Sequence, residues 1–229
     1  MIKRKTGEIQ LNQIEGCVFI VTYGRSGSTL LQRIMQTIPG MCFRGENSGT
    51  LEMLYRSAVR ASETRNEFGQ WKLPPDRPWH GADLIIPQQY SAALAQVFIN
   101  QIINPGPKQR WIGFKEIRYD TLDDELSSFL DWIVETFPNS YFLFNTRNHE
   151  DVANSAWWAQ RDRDQVMTLL EKLDKRFELY NRKRPDRSFI NTYEQLTENP
   201  QSIEPFFRKM GVHYNGEKIL KIMQDQLIH

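Results

Sequence analysis

Short apolar runs alternate along the chain with longer stretches of helical periodicity. Cys17 to Thr22 (CVFIVT) is apolar and β-branched and is bounded by Gly16 and Gly24, the pattern of a strand buried on both faces of a parallel sheet. From Ser28 the period changes: Leu30, Leu31, Ile34, Met35 and Ile38 share one helical stripe until Pro39-Gly40 stops it. A second strand is expected at Met41 to Phe43 and a helix from about Ser48 to Ser62, with further strands at Trp111 to Phe114, Tyr141 to Asn145 and Ser188 to Asn191. Amphipathic segments at about 87–103, 122–136, 149–160 and 164–182 separate them, so the alternation predicts an open α/β sheet. Glu63 to Pro87 breaks the rhythm. It holds Trp71, Trp79, His80 and four prolines without a persistent period, which predicts a long loop or lid.

At 229 residues the chain is expected to form one domain over 1–229, with the substrate loop or lid at about 63–87. Charge adds little, because 29 basic residues against 28 acidic leave a net +1, with no surplus to attract nucleic acid. Cys17 and Cys42 are too few for a disulfide framework or a thiolate metal site, and suit two buried free thiols in a reducing compartment. The basic N-terminal segment leads into no apolar stretch, and no apolar run approaches the roughly 18 residues of a membrane span. The expectation is a cytoplasmic protein without a membrane span; a homodimer is one of the states open to it.

The candidate chemistry starts where the first strand meets the first helix. Gly24-Arg-Ser-Gly-Ser-Thr29 points unpaired backbone N–H groups at one spot, where the helix dipole favours an anion. Gly24 and Gly27 permit close approach, while Ser26, Ser28 and Thr29 add hydroxyls. An ATP loop would carry Gly-Lys-Ser/Thr; here Gly27 is followed by Ser28-Thr29, and the cation sits inside the loop at Arg25. No later apolar strand ends in an aspartate placed to hold magnesium, so a metal-free anion site is expected. Thr146-Arg-Asn-His-Glu-Asp-Val-Ala-Asn-Ser155 offers a second anion site. Arg147 would stand at the carboxyl end of its strand, and Ser155, about two helical turns on, would face the same crevice.

Together these segments resemble the sulfotransferases that use 3′-phosphoadenosine 5′-phosphosulfate (PAPS) and release 3′-phosphoadenosine 5′-phosphate (PAP). Tyr23-Gly-Arg-Ser-Gly-Ser-Thr29 is similar to the family's 5′-phosphosulfate loop, and Arg147-Asn-His-Glu-Asp-Val-Ala-Asn-Ser155 to its 3′-phosphate motif. Tyr193-Glu-Gln-Leu-Thr-Glu-Asn-Pro200 resembles a third stretch, whose tyrosine lies near the adenine in the family. The resemblance implies a P-loop-like three-layer fold with a central, mostly parallel sheet flanked by helices. It also implies that Gly24 to Thr29 hold the phosphosulfate, Arg147 and Ser155 the 3′-phosphate, and Tyr193 the nucleoside. The Arg-Ser-Gly-Ser-Thr-Leu form of the loop is closest to the carbohydrate-modifying and bacterial branches. No segment like the family's C-terminal Arg-Lys-Gly-x-x-Gly-Asp-Trp is present, so the 3′-phosphate clamp is either incomplete there or built from other residues.

A base for the acceptor hydroxyl is less easily assigned. Where the small-molecule branch carries a histidine, this chain reads Gly113-Phe-Lys-Glu-Ile-Arg118. Glu46, after the second strand, should overlook the crevice and resembles the catalytic glutamate of trehalose-type sulfotransferases; Glu116 and His80 are the other candidates. Strand alternation sends Lys115 and Glu116 to opposite faces, so one of them enters the site, and Lys115 is assigned to the transferring group or substrate. The function expected is sulfuryl transfer from PAPS to a hydroxyl of a carbohydrate or other small metabolite. A P-loop kinase or nucleotide hydrolase, and a non-catalytic nucleotide-binding module, remain the alternatives.

Overall fold

The computed structural model describes residues 9–226. Five strands build the sheet: β1 (Gly16–Val21), β2 (Met41–Arg44), β3 (Trp111–Glu116), β4 (Ser140–Thr146) and β5 (Ser188–Thr192). They are all parallel, in the order β2-β3-β1-β4-β5. Every residue of β1 is buried, because the strand lies at the centre with helices over both faces. Alternation divides it between two cores: Cys17, Phe19 and Val21 enter one, Val18 and Ile20 the other.

The chain crosses the sheet through helices α1 (Ser28–Met35), α2 (Thr50–Phe68), α3 (Pro87–Val97), α4 (Leu126–Thr136), α5 (His149–Ala153), α6 (Arg163–Lys183), α7 (Tyr193–Glu198), α8 (Glu204–Met210) and α9 (Gly216–Gln226). The stripes of α2, α3, α4 and α6 bury Tyr55, Ala95, Phe129 and Phe177 against one face. The other face receives Leu31 and Ile34 of α1, Leu196 of α7, Phe207 of α8 and Ile219 of α9. This is the open α/β sheet that the alternation predicted, in the three-layer form that the resemblance implied. Because β3 and β4 flank β1 on opposite sides, the strand order reverses at β1, and a crevice opens at the carboxyl ends of these three strands.

Three segments depart from expectation. First, α2 continues past Ser62 to Phe68, so the irregular segment begins at Gly69 rather than at 63. Residues 63–68 lack an apolar stripe but consist mainly of tolerant helix formers, and Arg60 pairs with Glu63 one turn on. Phe68 then stacks on Trp79, with ring centroids 3.9 Å apart, and ties the following loop to the helix end. Second, the predicted helix over 149–160 is two pieces, α5 and a 3₁₀ turn at Ala156–Gln160, with Ala156 at φ 50° after the break. Third, the segment at 122–136 begins with a 3₁₀ stretch, Asp120–Glu125, before α4. Cys17 and Cys42 are free and buried. Among the described residues no helix is long and apolar enough to cross a membrane.

Candidate active site

Buried polar side chains anchor the loop after β1. Thr22 Oγ1 lies 2.7 Å from Ser26 Oγ and 2.6 Å from the Asn145 carbonyl oxygen. Asn145 Nδ2 donates to the Ser26 carbonyl at 2.7 Å, and Asn191 Nδ2 donates to Asn145 Oδ1 at 2.7 Å. Asn145 and Asn191 stand opposite one another in the β4–β5 register, so this chain of amides ties the loop to the ends of β1, β4 and β5. Ser26 is wholly buried by these contacts and acts as scaffold, whereas Ser28 and Thr29 border the open cleft.

Two glycines of the loop are required by what packs on them. Gly27 has φ 80°, and a Cβ there would lie 2.2 Å from the Tyr193 ring. A Cβ on Gly24 would meet the Trp157 indole at 2.4 Å, and the Gly24 carbonyl accepts the Trp158 indole N–H at 2.9 Å. Between them Arg25 also occupies the left-handed region, at φ 67°, a conformation that costs a non-glycine residue on the order of 1 kcal/mol or more. No side chain caps the N-terminus of α1, so its first amides and the positive end of its dipole face the cleft.

The second wall comes from β4 and β5. Arg147 NH1 donates to the Arg25 carbonyl at 3.1 Å, and its guanidinium lies 4.5 Å above the Tyr193 ring centroid. Arg147 Nε is a buried donor without a protein partner. Ser155 follows the α5 break instead of continuing a helix, and its Oγ accepts from Arg25 Nε at 2.9 Å. The expected pair Arg147 and Ser155 are therefore joined through Arg25. Tyr23 fixes the backbone beneath them, accepting from the Arg147 N–H at 3.0 Å, while its ring stacks on Phe177. Burial, with Asp174 nearby, pushes the Tyr23 phenol far above its ordinary value, so it stays protonated.

Across the crevice, alternation on β3 separates Lys115 from Glu116. Lys115 Nζ points into the cleft and donates to Glu46 Oε1 at 2.6 Å, while Arg118 NH1 reaches Glu46 Oε2 at 3.3 Å. Glu116 turns away into the protein. Its Oε2 accepts from the backbone N–H groups of Asn47 and Gly49, and its Oε1 from the Ile117 N–H and from Arg118 NH1 at 2.9 Å. Burial alone would raise its pKa, but these donors together hold the carboxyl below the usual carboxylate range. Glu116 thus fixes the turn that carries Glu46 and does not border the cleft. His80 is also outside it, with its Nδ1 bonded to the Leu73 carbonyl at 2.7 Å, and nothing from the 69–86 segment lines it.

These walls enclose a cleft of about 590 Å³. Four cations, Arg25, Lys115, Arg118 and Arg147, border it against one carboxylate, Glu46. A chain whose overall charge is only +1 thus concentrates its positive potential at one place. The arrangement has the charge to attract an anion and sets one carboxylate, Glu46, against Lys115 and Arg118. Arg118 and Ile117 join the site without a role assigned from sequence. The signal for Ile117 was the alternation itself, since it continues Lys115's side of the chain beyond the end of β3; Arg118 is in phase with Glu116, and alternation gave no sign that it would reach the cleft. Thr22, Asn145 and Asn191 were also missed; their mark was polarity at the ends of otherwise apolar strands.

A model of the sulfotransferase family matches residues 17–204, most of the chain. Among solved structures, the sulfotransferase domain of the Synechococcus PCC 7002 olefin synthase aligns with a TM-score of 0.54 at 17% identity, covering 96% of this chain and 81% of that one. The sulfotransferase domain from the curacin biosynthetic pathway aligns with a TM-score of 0.51 at 16% identity, covering 91% and 78%. At such identities the likeness is one of fold. No curated protein sequence matches. The fold, the loop after β1 and the extent of the family match lead to one conclusion: this chain belongs to the sulfotransferase family.

Proposed function

We propose that the protein transfers a sulfuryl group from PAPS to a hydroxyl of a small organic acceptor, with Glu46 as general base. The observation that carries the donor assignment is the joined group of Arg25, Arg147 and Ser155, with one buried guanidinium N–H still free, beside an uncapped helix N-terminus. This is a site for two separate anionic groups, with an aromatic ring, Tyr193, between loop and clamp. Arg25, Gly27, Ser28 and Thr29 would hold the phosphosulfate end, Arg147 with Ser155 the 3′-phosphate, and Tyr193 the nucleoside. Gly24 gives the backbone room to approach, and Ser26 keeps the loop in shape.

The donor supplies an activated sulfuryl group. Its sulfur–oxygen bond to the 5′-phosphate breaks as a new sulfur–oxygen bond forms to the acceptor, whose proton passes to Glu46. Charge then grows on the departing phosphate, where Arg25 and the α1 amides stabilise it. Lys115 is the hinge of this arrangement. It pairs with Glu46 Oε1 in the free protein, and a sulfonate entering the cleft would compete for the same ammonium and leave that oxygen open to the acceptor hydroxyl while Arg118 holds Oε2.

The test is thermal stabilisation by PAP, ADP and ATP, each with and without Mg²⁺. A ligand of the folded state raises its stability. The proposal expects PAP to give the largest shift, independent of Mg²⁺; a larger shift from Mg²⁺-ATP would favour a kinase or nucleotide hydrolase instead.

A further inference from the structure

A second cleft of about 380 Å³ opens beside the first, and the two share Ile117, Arg118 and Trp157 as a common wall. Its volume lies within the range of small-molecule sites, roughly 300–1,000 Å³. Its character differs from its neighbour's. Leu169 and Leu173, one turn apart on α6, join Ile117 in an aliphatic wall that gives a polyol's hydroxyls no partner.

Charge in the second cleft is unevenly committed. Arg118 is bound to Glu46 and Glu116. Arg161 instead rests against two indoles, its guanidinium carbon 5.0 Å from the Trp157 ring centroid and 5.1 Å from that of Trp158. No carboxylate pairs with it among the described residues. A guanidinium held by aromatic faces keeps its in-plane N–H groups free, in the fork that matches a carboxylate or phosphate. The indole pair, with centroids 4.0 Å apart, thus orients a cation on the α6 side of the cleft, beside Leu169 and Leu173, while its other polar groups, Arg118, Asp120 and Thr121, follow β3. Asp120, the acidic residue of this cleft, follows Arg118 closely in the chain and so belongs to the β3 side, whereas Arg161 precedes α6.

We infer that the acceptor is an anionic amphiphile: a hydroxyl compound whose apolar body lies along Leu169, Leu173 and Ile117 and whose carboxylate or phosphate is held by Arg161. Resting on the sulfuryl-transfer proposal, it narrows the acceptor from small hydroxyl compounds in general to this class, and it sets neutral sugars aside. Arg161 is then a specificity-determining residue that lies outside the donor cleft.

The experiment measures binding by titration calorimetry, with and without saturating PAP. The probes are 10-hydroxydecanoate and 4-(hydroxymethyl)benzoate, each beside its methyl ester, and trehalose. At least one acid should bind about tenfold or more tighter than its ester, the scale of a charged hydrogen-bonded pair. Arg161→Gln should remove that preference while leaving ester and PAP affinities unchanged, and Arg161→Lys, which keeps the charge, should restore part of it. The inference is overturned if neither acid binds, if acid and ester bind alike, if trehalose binds tightest, or if the preference survives Arg161→Gln. Failure of PAP to bind would instead sink the donor assignment, and the acid preference would still be decided by Arg161→Gln measured without PAP.

Discussion

Lys115 Nζ and Glu46 Oε1 stand 2.6 Å apart at the edge of the cleft, on β3 and on the turn after β2. The carboxylate is about one-third exposed and the ammonium nearly buried, so of the two the acid is the partner more open to solvent in the cleft. If Glu46 takes the acceptor's proton, Glu46→Gln should lower turnover by about 10²–10⁴-fold and leave PAP affinity unchanged. Steady-state kinetics with calorimetry of PAP checks this. Near wild-type turnover would remove Glu46 from the mechanism.

Glu116 should fail in a different way. Four donors converge on its buried carboxylate, and Glu116→Gln turns charged hydrogen bonds into weaker ones while leaving Arg118 short of a partner. A loss of about 2–3 kcal/mol in unfolding free energy is expected by denaturant titration. The pH dependence follows from the depressed pKa. This carboxylate contributes stability above its unfolded pKa and loses it as the pH falls through the lower folded value, so the wild type should weaken on acidification below about pH 5. The glutamine variant should show a flatter acid limb.

Arg25 holds a left-handed backbone that glycine would adopt without strain. Arg25→Gly relieves that strain but adds chain entropy and removes the bond to Ser155, effects of similar size, so the melting temperature should stay within a few degrees of wild type. Turnover should nevertheless fall by about 10²–10³-fold, the cost of losing one donor to developing charge. Equal losses of stability and turnover would reduce Arg25 to a structural residue.

The strands and most helices were legible because a parallel sheet covered on both faces writes itself as apolar β-branched runs such as Cys17 to Thr22. The end of α2 was not, because residues 63–68 form helix without an apolar stripe. Nor was the break before Ser155, where Ala156 at φ 50° carries no glycine or proline to announce it. In the site, the loop and Arg147 could be found by position at strand ends, since topology brings all such ends to one crevice. What could not be read were contacts between distant segments: Tyr193 beneath Arg147, Arg25 on Ser155, and the Asn145–Asn191 tie. Each depends on side-chain directions set by packing across elements more than 40 residues apart in the chain.

Arg147 carries the claim that the cleft is built for a nucleotide with a 3′-phosphate, and calorimetry of PAP against 5′-AMP, in the wild type and in Arg147→Ala, tests it most directly. The wild type should bind PAP more tightly than 5′-AMP. The variant should lose about 1.5–3 kcal/mol for PAP, roughly ten- to a hundredfold, and little for 5′-AMP, so that the difference between the two ligands collapses. Equal affinity of the wild type for both nucleotides, or a preference for PAP that survives Arg147→Ala, would contradict the account.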